Sequence, residues 1–203
     1  MPEQRLKGVK VAILVANDFE QIEMVKPRQA LSEEGAQTFL IAPSAEQRVD
    51  QFVVVHAAQG KVQGINHDRL GDMFDVDVPL EQANPMDYDA LLLPGGALSP
   101  DQLRISDKAR SFVSMMDDAS KPIAVICHGP WTLVSANRVV GRTLTSWPTL
   151  QDDIRNAGGN WIDQEVVVDA NWVSSRGPAD IPAFNNAMIR LFAQRVAAQR
   201  KAA

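Results

Sequence analysis

The chain has 203 residues, 45% of them hydrophobic and 22% charged, with a formal net charge of −5. Such a chain suits one globular domain, here residues 1–203, and lies outside the range of disordered segments. Acidic and basic residues are interleaved, so there is no basic field for nucleic acid or an anionic membrane.

Cys127 is the single cysteine, which excludes an intrachain disulfide and fits a reducing compartment. Met1 to Lys10 contain no apolar core of signal-peptide length, and no apolar run approaches the roughly 18 residues of a membrane helix. A cytoplasmic location is therefore the expectation.

Val9 to Ala16 is a near-continuous aliphatic run, as a strand buried on both faces requires, and Asn17-Asp18 breaks it. From Glu20, Ile22, Val25, Ala30 and Leu31 recur at helical spacing up to the Gly35 stop, with Pro27 predicting a break or kink. Thr38 to Ala42 reads as a second strand. Gln51 to Gly64 reads as a hairpin-like excursion turning at Gly60.

Asp89 to Leu93 is a further buried strand, stopped by Pro94-Gly95-Gly96. Ser106 to Ala119 reads as a helix and Pro122 to Ile126 as a strand, with a helix after Cys127. Asp152 to Ala157 reads as a helix closed by Gly158-Gly159. Strands Glu165 to Asp169 and Trp172 to Ser175 flank a turn, and Asp180 to Ala203 is an amphipathic helix. Strands alternating with helices predict an α/β sandwich of the doubly wound kind around a mostly parallel sheet.

Ligands of such sheets bind beyond the carboxyl ends of the strands. The segments Asn17 to Glu23, Pro94 to Asp101 and Cys127 to Trp131 each follow a strand, so they are expected to converge. Cys127 sits at a strand-to-helix junction, where a sharp turn exposes the sulfur and the helix dipole lowers its pKa. Gly129 relieves crowding in that turn, and Pro130 suits a first helical turn. Composition alone favours a buried core cysteine, and the His-Gly-Pro that follows favours a nucleophile.

His128 reads either as a group that orients or protonates something beside the thiol, or as a solvated polar residue at the helix start. Gly95 and Gly96 let the backbone approach a ligand and present N–H groups, although Pro-Gly-Gly is also a generic turn. Of Glu20 and Glu23, one can point at the thiol; both can instead complement the helix dipole. His56 and His67 lack metal-ligand spacing, and no phosphate loop or dinucleotide fingerprint is present, so neither metal nor cofactor is expected.

Taken together, these residues resemble the ThiJ/PfpI superfamily, in its branch of PfpI-like intracellular proteases and general stress proteins. The resemblance runs from Val9 to about Phe192. It is carried by Asn17-Asp-Phe-Glu20 with Glu23 and Pro27, by Asp89-Ala-Leu-Leu-Leu-Pro-Gly-Gly96 and by Ile126-Cys-His-Gly-Pro130. Further matches are Leu144-Thr-Ser-Trp-Pro148, Asp152 to Gly158, Glu165 to Asp169 and Asn171 to Arg176.

The likeness implies a flavodoxin-like three-layer sandwich, similar to class I glutamine amidotransferase domains, in a homodimer or larger homo-oligomer. It implies Cys127 as nucleophile, Glu23 as the acid bonded to it, and the Gly96 and His128 N–H groups as oxyanion donors, with Gly95 beside them. Asp101 matches an acid that reaches the histidine across a subunit interface, shorter than the glutamate also familiar there. Trp147 replaces a common tyrosine, and Glu20, Trp131 and Trp147 are expected to line the pocket.

The activity so implied is cofactor-independent glyoxalase or deglycase chemistry on methylglyoxal, glyoxal and their early adducts, within a stress response. A PfpI-type cysteine peptidase is the alternative, using Cys127, His128 and Asp101 of the partner subunit. A non-enzymatic redox sensor or stress chaperone built on Cys127 is a third reading. Glutamine amidotransfer relies on a histidine well downstream of the nucleophile, and none follows His128.

Overall fold

A computed structural model describes residues 4–49 and 51–202. Its centre is a seven-stranded sheet built from β1 (Lys10–Leu14), β2 (Gln37–Ala42), β3 (Val78–Pro79), β4 (Ala90–Leu93), β5 (Ile123–Ile126), β6 (Val166–Asp169) and β7 (Trp172–Ser175). The spatial order is β6-β7-β5-β4-β1-β2-β3, and every pairing is parallel except that of β6 with β7 at one edge. This is the α/β sandwich expected from the alternating strands and helices, in the flavodoxin-like form that the resemblance implied.

Helices cover both faces: α1 (Gln21–Glu33), α2 (Leu98–Ile105), α3 (Asp107–Asp118), α4 (Pro130–Ser135), α5 (Gln151–Asn156) and α6 (Ile181–Ala202). Because side chains alternate across a strand, β1 sends Val11 and Ile13 to one face and Ala12 and Leu14 to the other. The first set packs with Met24 and Leu31 of α1 and Phe184, Met188 and Phe192 of α6. The second packs with Phe112, Val113 and Met116 of α3 and Leu133 of α4. Burial on both faces explains why these strands read as continuous apolar runs.

The structure corrects or extends the expectations in three places. Helix α1 runs unbroken through Pro27, which is buried with Met24 and Leu31, so tertiary packing outweighs the missing donor. No element was expected over Leu98 to Ile105, which forms a helix; Pro100 lies in its first turn, where no backbone donor is needed.

The excursion after β2 does turn at Gly60, where the Lys61 N–H donates to the Ala58 carbonyl at 2.7 Å, but that turn joins two hairpins instead of closing one. Phe52–Val55 pairs back with Gln47–Val49, while Lys61–Asn66 pairs with Arg69–Asp75 around His67 and Asp68. His67 takes the turn at φ 59°, and the hairpin is docked by the parallel pairing of Phe19–Glu20 with Gly64–Ile65. Among the described residues, no helix is long and apolar enough to cross a membrane.

Strand β4 lies between β1 and β5, and its Leu92 is fully buried. Leu92→Ala should therefore lower unfolding stability by about 2–5 kcal/mol, measured by urea denaturation of the two proteins.

Candidate active site

Strands β5, β4 and β1 are neighbours and parallel, so the chain leaves all three at the same end. This brings Cys127, Gly95-Gly96 and the start of α1 together, as the sheet rule required. Strand β7 adds a fourth segment, Arg176-Gly177, that the sequence did not single out.

Cys127 follows β5 with φ 61°, in the left-handed region that an L-residue rarely occupies. Its N–H donates to the Ser175 carbonyl at 3.0 Å, and its carbonyl accepts from the Trp147 N–H at 2.9 Å. The turn leaves no room beside it. A Cβ on Gly129 would lie 2.6 Å from the Leu93 carbonyl oxygen, and one on Gly95 would lie 2.5 Å from Cys127 Cβ.

Only one of the two acids faces the sulfur. Glu23, in the first turn of α1 and fully buried, lies against the Cys127 thiol and accepts the Gly95 N–H on Oε2 at 2.9 Å. Its Oε1 is buried without a hydrogen-bond partner. Glu20 turns instead to the hairpin, where its Oε2 accepts the His67 N–H at 3.1 Å and lies 3.2 Å from His67 Nδ1.

The N–H groups of Gly96 and His128 lie against the sulfur and favour its thiolate form. Gly96 needs its φ of 83° and its missing side chain, since a Cβ would sit 2.5 Å from the Glu20 nitrogen. Gly95 does not join these donors, because its N–H is committed to Glu23. The His128 ring places Nδ1 3.2 Å from Cys127 Sγ and packs between Trp131 and Trp147.

Burial controls the electrostatics. It pushes the Glu23 carboxyl from its ordinary 4.5 up to about 8, against the opposing effect of the Cys127 thiol and the Gly95 N–H. Burial also raises the Cys127 thiol, and a charged Glu23 raises it further; the Gly96 and His128 N–H groups oppose both. The expected lowering by a helix dipole is thus overturned: Cys127 is only 6% exposed, and α4 has six residues. Burial lowers the His128 pKa as well, favouring the neutral imidazole.

The site opens into a cavity of about 860 Å³. Its walls include Glu20, Glu23, Gly96, Cys127, His128 and Trp147, together with His67, Asp68, Arg176 and Gly177. Trp131 is not in this lining: its Nε1 donates to Asp153 at 2.7 Å, behind His128. Asp101 is exposed on the first turn of α2, outside the lining. In the sequence Arg176 stands out only within the Asn171 to Arg176 match and not as a wall of the site; it pairs with Asp163 and Asp180, at 2.9 and 2.8 Å, which sequence spacing does not signal.

The sequence profile of the DJ-1/PfpI family matches residues 9–191, which span all these elements up to α6. The chain belongs to the DJ-1/PfpI family. Among its relatives, the deglycase PfpI of Pyrococcus furiosus is 38% identical over 183 residues, covering 90% of this chain and 99% of that protein. A deglycase of Pyrococcus horikoshii is 39% identical with the same coverage.

Among solved structures, this DJ-1/PfpI chain is similar to DJ-1beta of Drosophila melanogaster. The TM-score is 0.74 at 22% identity, over 94% of this chain and 96% of that one. It also matches the DJ-1/ThiJ/PfpI-like part of a two-domain Anabaena variabilis protein that carries a ferritin-like domain as well. There the TM-score is 0.76 at 28% identity, over 89% of this chain and about half, 49%, of that longer chain.

The Glu23 shift predicts a pH-dependent stability difference in this family member. A native pKa raised from 4.5 to about 8 contributes stability that is complete below about 4.5 and lost as pH rises through 8. The melting temperature of Glu23→Gln minus that of wild type should widen steadily across that window and level off above it. A difference that stays flat with pH would place Glu23 at its ordinary pKa.

Proposed function

We propose that this chain is a cofactor-independent, cysteine-dependent deglycase-type enzyme acting on methylglyoxal, glyoxal and their early adducts with amino and thiol groups. The reading is carried by one observation. A thiol, two backbone N–H donors and a buried carboxyl with an unpartnered oxygen meet at the wall of one cavity. The names of the Pyrococcus relatives agree with it.

The Cys127 sulfur adds to the aldehyde carbon, and the oxygen that takes up the electron pair is held by the Gly96 and His128 N–H groups. When the substrate is an aminocarbinol adduct, the amine leaves that carbon with the thiol proton as the C–S bond forms. Glu23 passes its own proton to that oxygen or to the departing amine, and the carboxylate so formed takes the hydrogen from the thiohemiacetal carbon as a proton and returns it to the adjacent carbon. The product of that transfer is a lactoyl thioester for methylglyoxal or a glycoloyl thioester for glyoxal. Water hydrolyses it to the hydroxy acid and restores the thiol.

The protonation states suit this sequence. At neutral pH Glu23, titrating near 8, holds its proton, and the buried thiol can ionise beside it only while it does, because a charged Glu23 raises the Cys127 pKa. Once the sulfur is bound to carbon that demand ends, and the carboxyl is free to exchange protons with substrate. A homo-oligomer is proposed with this activity. The peptidase reading requires such an assembly, because Asp101 does not reach the cavity within one chain.

Lactate formation from methylglyoxal tests the reading. Cys127→Ser should abolish it, and Glu23→Gln should lower kcat by about 10²- to 10⁴-fold while leaving iodoacetamide alkylation of Cys127 measurable. Undiminished lactate formation by Cys127→Ser would overturn the assignment. Hydrolysis of a fluorogenic peptide, lost in the same variant, would favour the peptidase instead.

A further inference from the structure

Gly177 follows β7 with an extended φ of 169°, a conformation open to any residue, so its backbone does not require glycine. What glycine provides is close approach. A Cβ at this position would lie 3.2 Å from Cε3 and Cζ3 of Trp147 and 4.0 Å from Glu23 Oε1. The benzene edge of the indole comes this close to residue 177 because no side chain intervenes.

Trp147 is fixed to the reactive turn at one end and free at the other. Its N–H is bonded to the Cys127 carbonyl at 2.9 Å, and its ring stacks on His128 at a centroid distance of 6.1 Å. Yet 41% of the residue is exposed, so the indole can shift when its neighbour changes. The unpartnered Oε1 of Glu23 bounds the same corner of the cavity.

We propose that Gly177 and Trp147 set the size of the substituent next to the reacting aldehyde, selecting slim dicarbonyls that carry hydrogen or methyl there. The inference rests on the proton transfer assigned to Glu23. An acid that serves two adjacent carbons must have the second carbon and its substituent beside it, and Gly177 and Trp147 are the walls at that point. A methyl on residue 177 occupies the space between the indole and Oε1, and pushes the indole into the cavity. Removing the indole opens the same corner.

The test compares kcat/KM for glyoxal, methylglyoxal and phenylglyoxal in wild type, Gly177→Ala and Trp147→Ala. Gly177→Ala should lower the methylglyoxal-to-glyoxal ratio by about tenfold, the scale of one methyl group in a fitted pocket. Trp147→Ala should raise the phenylglyoxal-to-methylglyoxal ratio by about tenfold. Ratios unchanged in both variants would overturn the proposal.

If wild type turns over none of the three, the deglycase reading fails, and pocket size is still read by Cys127 alkylation with iodoacetamide and N-phenyliodoacetamide. Gly177→Ala should slow the larger reagent selectively and Trp147→Ala should speed it. Equal effects on both reagents would reject the size filter. Trp147→Ala removes a partly exposed side chain, so it carries the test should Gly177→Ala fail to melt cooperatively.

Discussion

Cys127 must leave β5 in a left-handed turn, and much of the site is arranged around that one backbone angle of φ 61°. A non-glycine residue held there costs about 1–3 kcal/mol, so the surroundings must fix it. They do so through the Ser175 carbonyl on one side and the Trp147 N–H on the other. The close approaches of Gly95 and Gly129 complete the confinement. The same turn that strains the residue brings its sulfur to the N–H groups of Gly96 and His128. Relaxing the angle would move the thiol away from both donors and from Glu23.

Once the sulfur is confined, burial sets its chemistry. Two negative charges cannot share a site this dry, so Glu23 and Cys127 titrate as a pair rather than as independent groups. The Gly95 N–H bonded to Oε2 and the two N–H groups on the sulfur favour negative charge, but on different atoms. The pair can therefore move one proton between carboxyl and sulfur without placing net extra charge in the interior. Glu20 adds repulsion that helps keep the proton on Glu23. Its own carboxylate is occupied by His67, which explains why two acids three residues apart have different tasks.

The sequence shows well whatever depends on sheet topology and poorly whatever depends on burial or register. Val9 to Ala16, Asp89 to Leu93 and Pro122 to Ile126 read as strands because continuous apolar runs have few other places to go. The convergence of their following loops is then a consequence of parallel pairing. Gly177 was not distinguishable, since its value lies in a contact with Trp147, 30 positions earlier in the chain. The thiol pKa was misjudged for a similar reason: a helix start is visible in sequence, whereas 6% exposure is not. The turn at Gly60 was legible, but the strands flanking it pair elsewhere: Lys61–Asn66 turns at His67-Asp68 onto Arg69–Asp75, with Gly64 and Ile65 paired to Phe19 and Glu20.

Reactivity and selectivity consequently reside in different parts of the fold. The sulfur, its N–H donors and Glu23 are seated at strand ends and a helix start, where two packed cores hold them. The residues that face them across the cavity, His67, Trp147 and Gly177, belong to turns and loops. Such segments tolerate change without loss of the core, whereas the elbow does not. The link between the two parts is Glu20, which joins the hairpin turn to the start of the helix bearing Glu23. A change in the hairpin can thereby reach the acid through its charge, whereas a change at Gly177 reaches it only through space. The two routes separate by their effects: the first alters how the pair holds its proton, and the second alters what fits beside it.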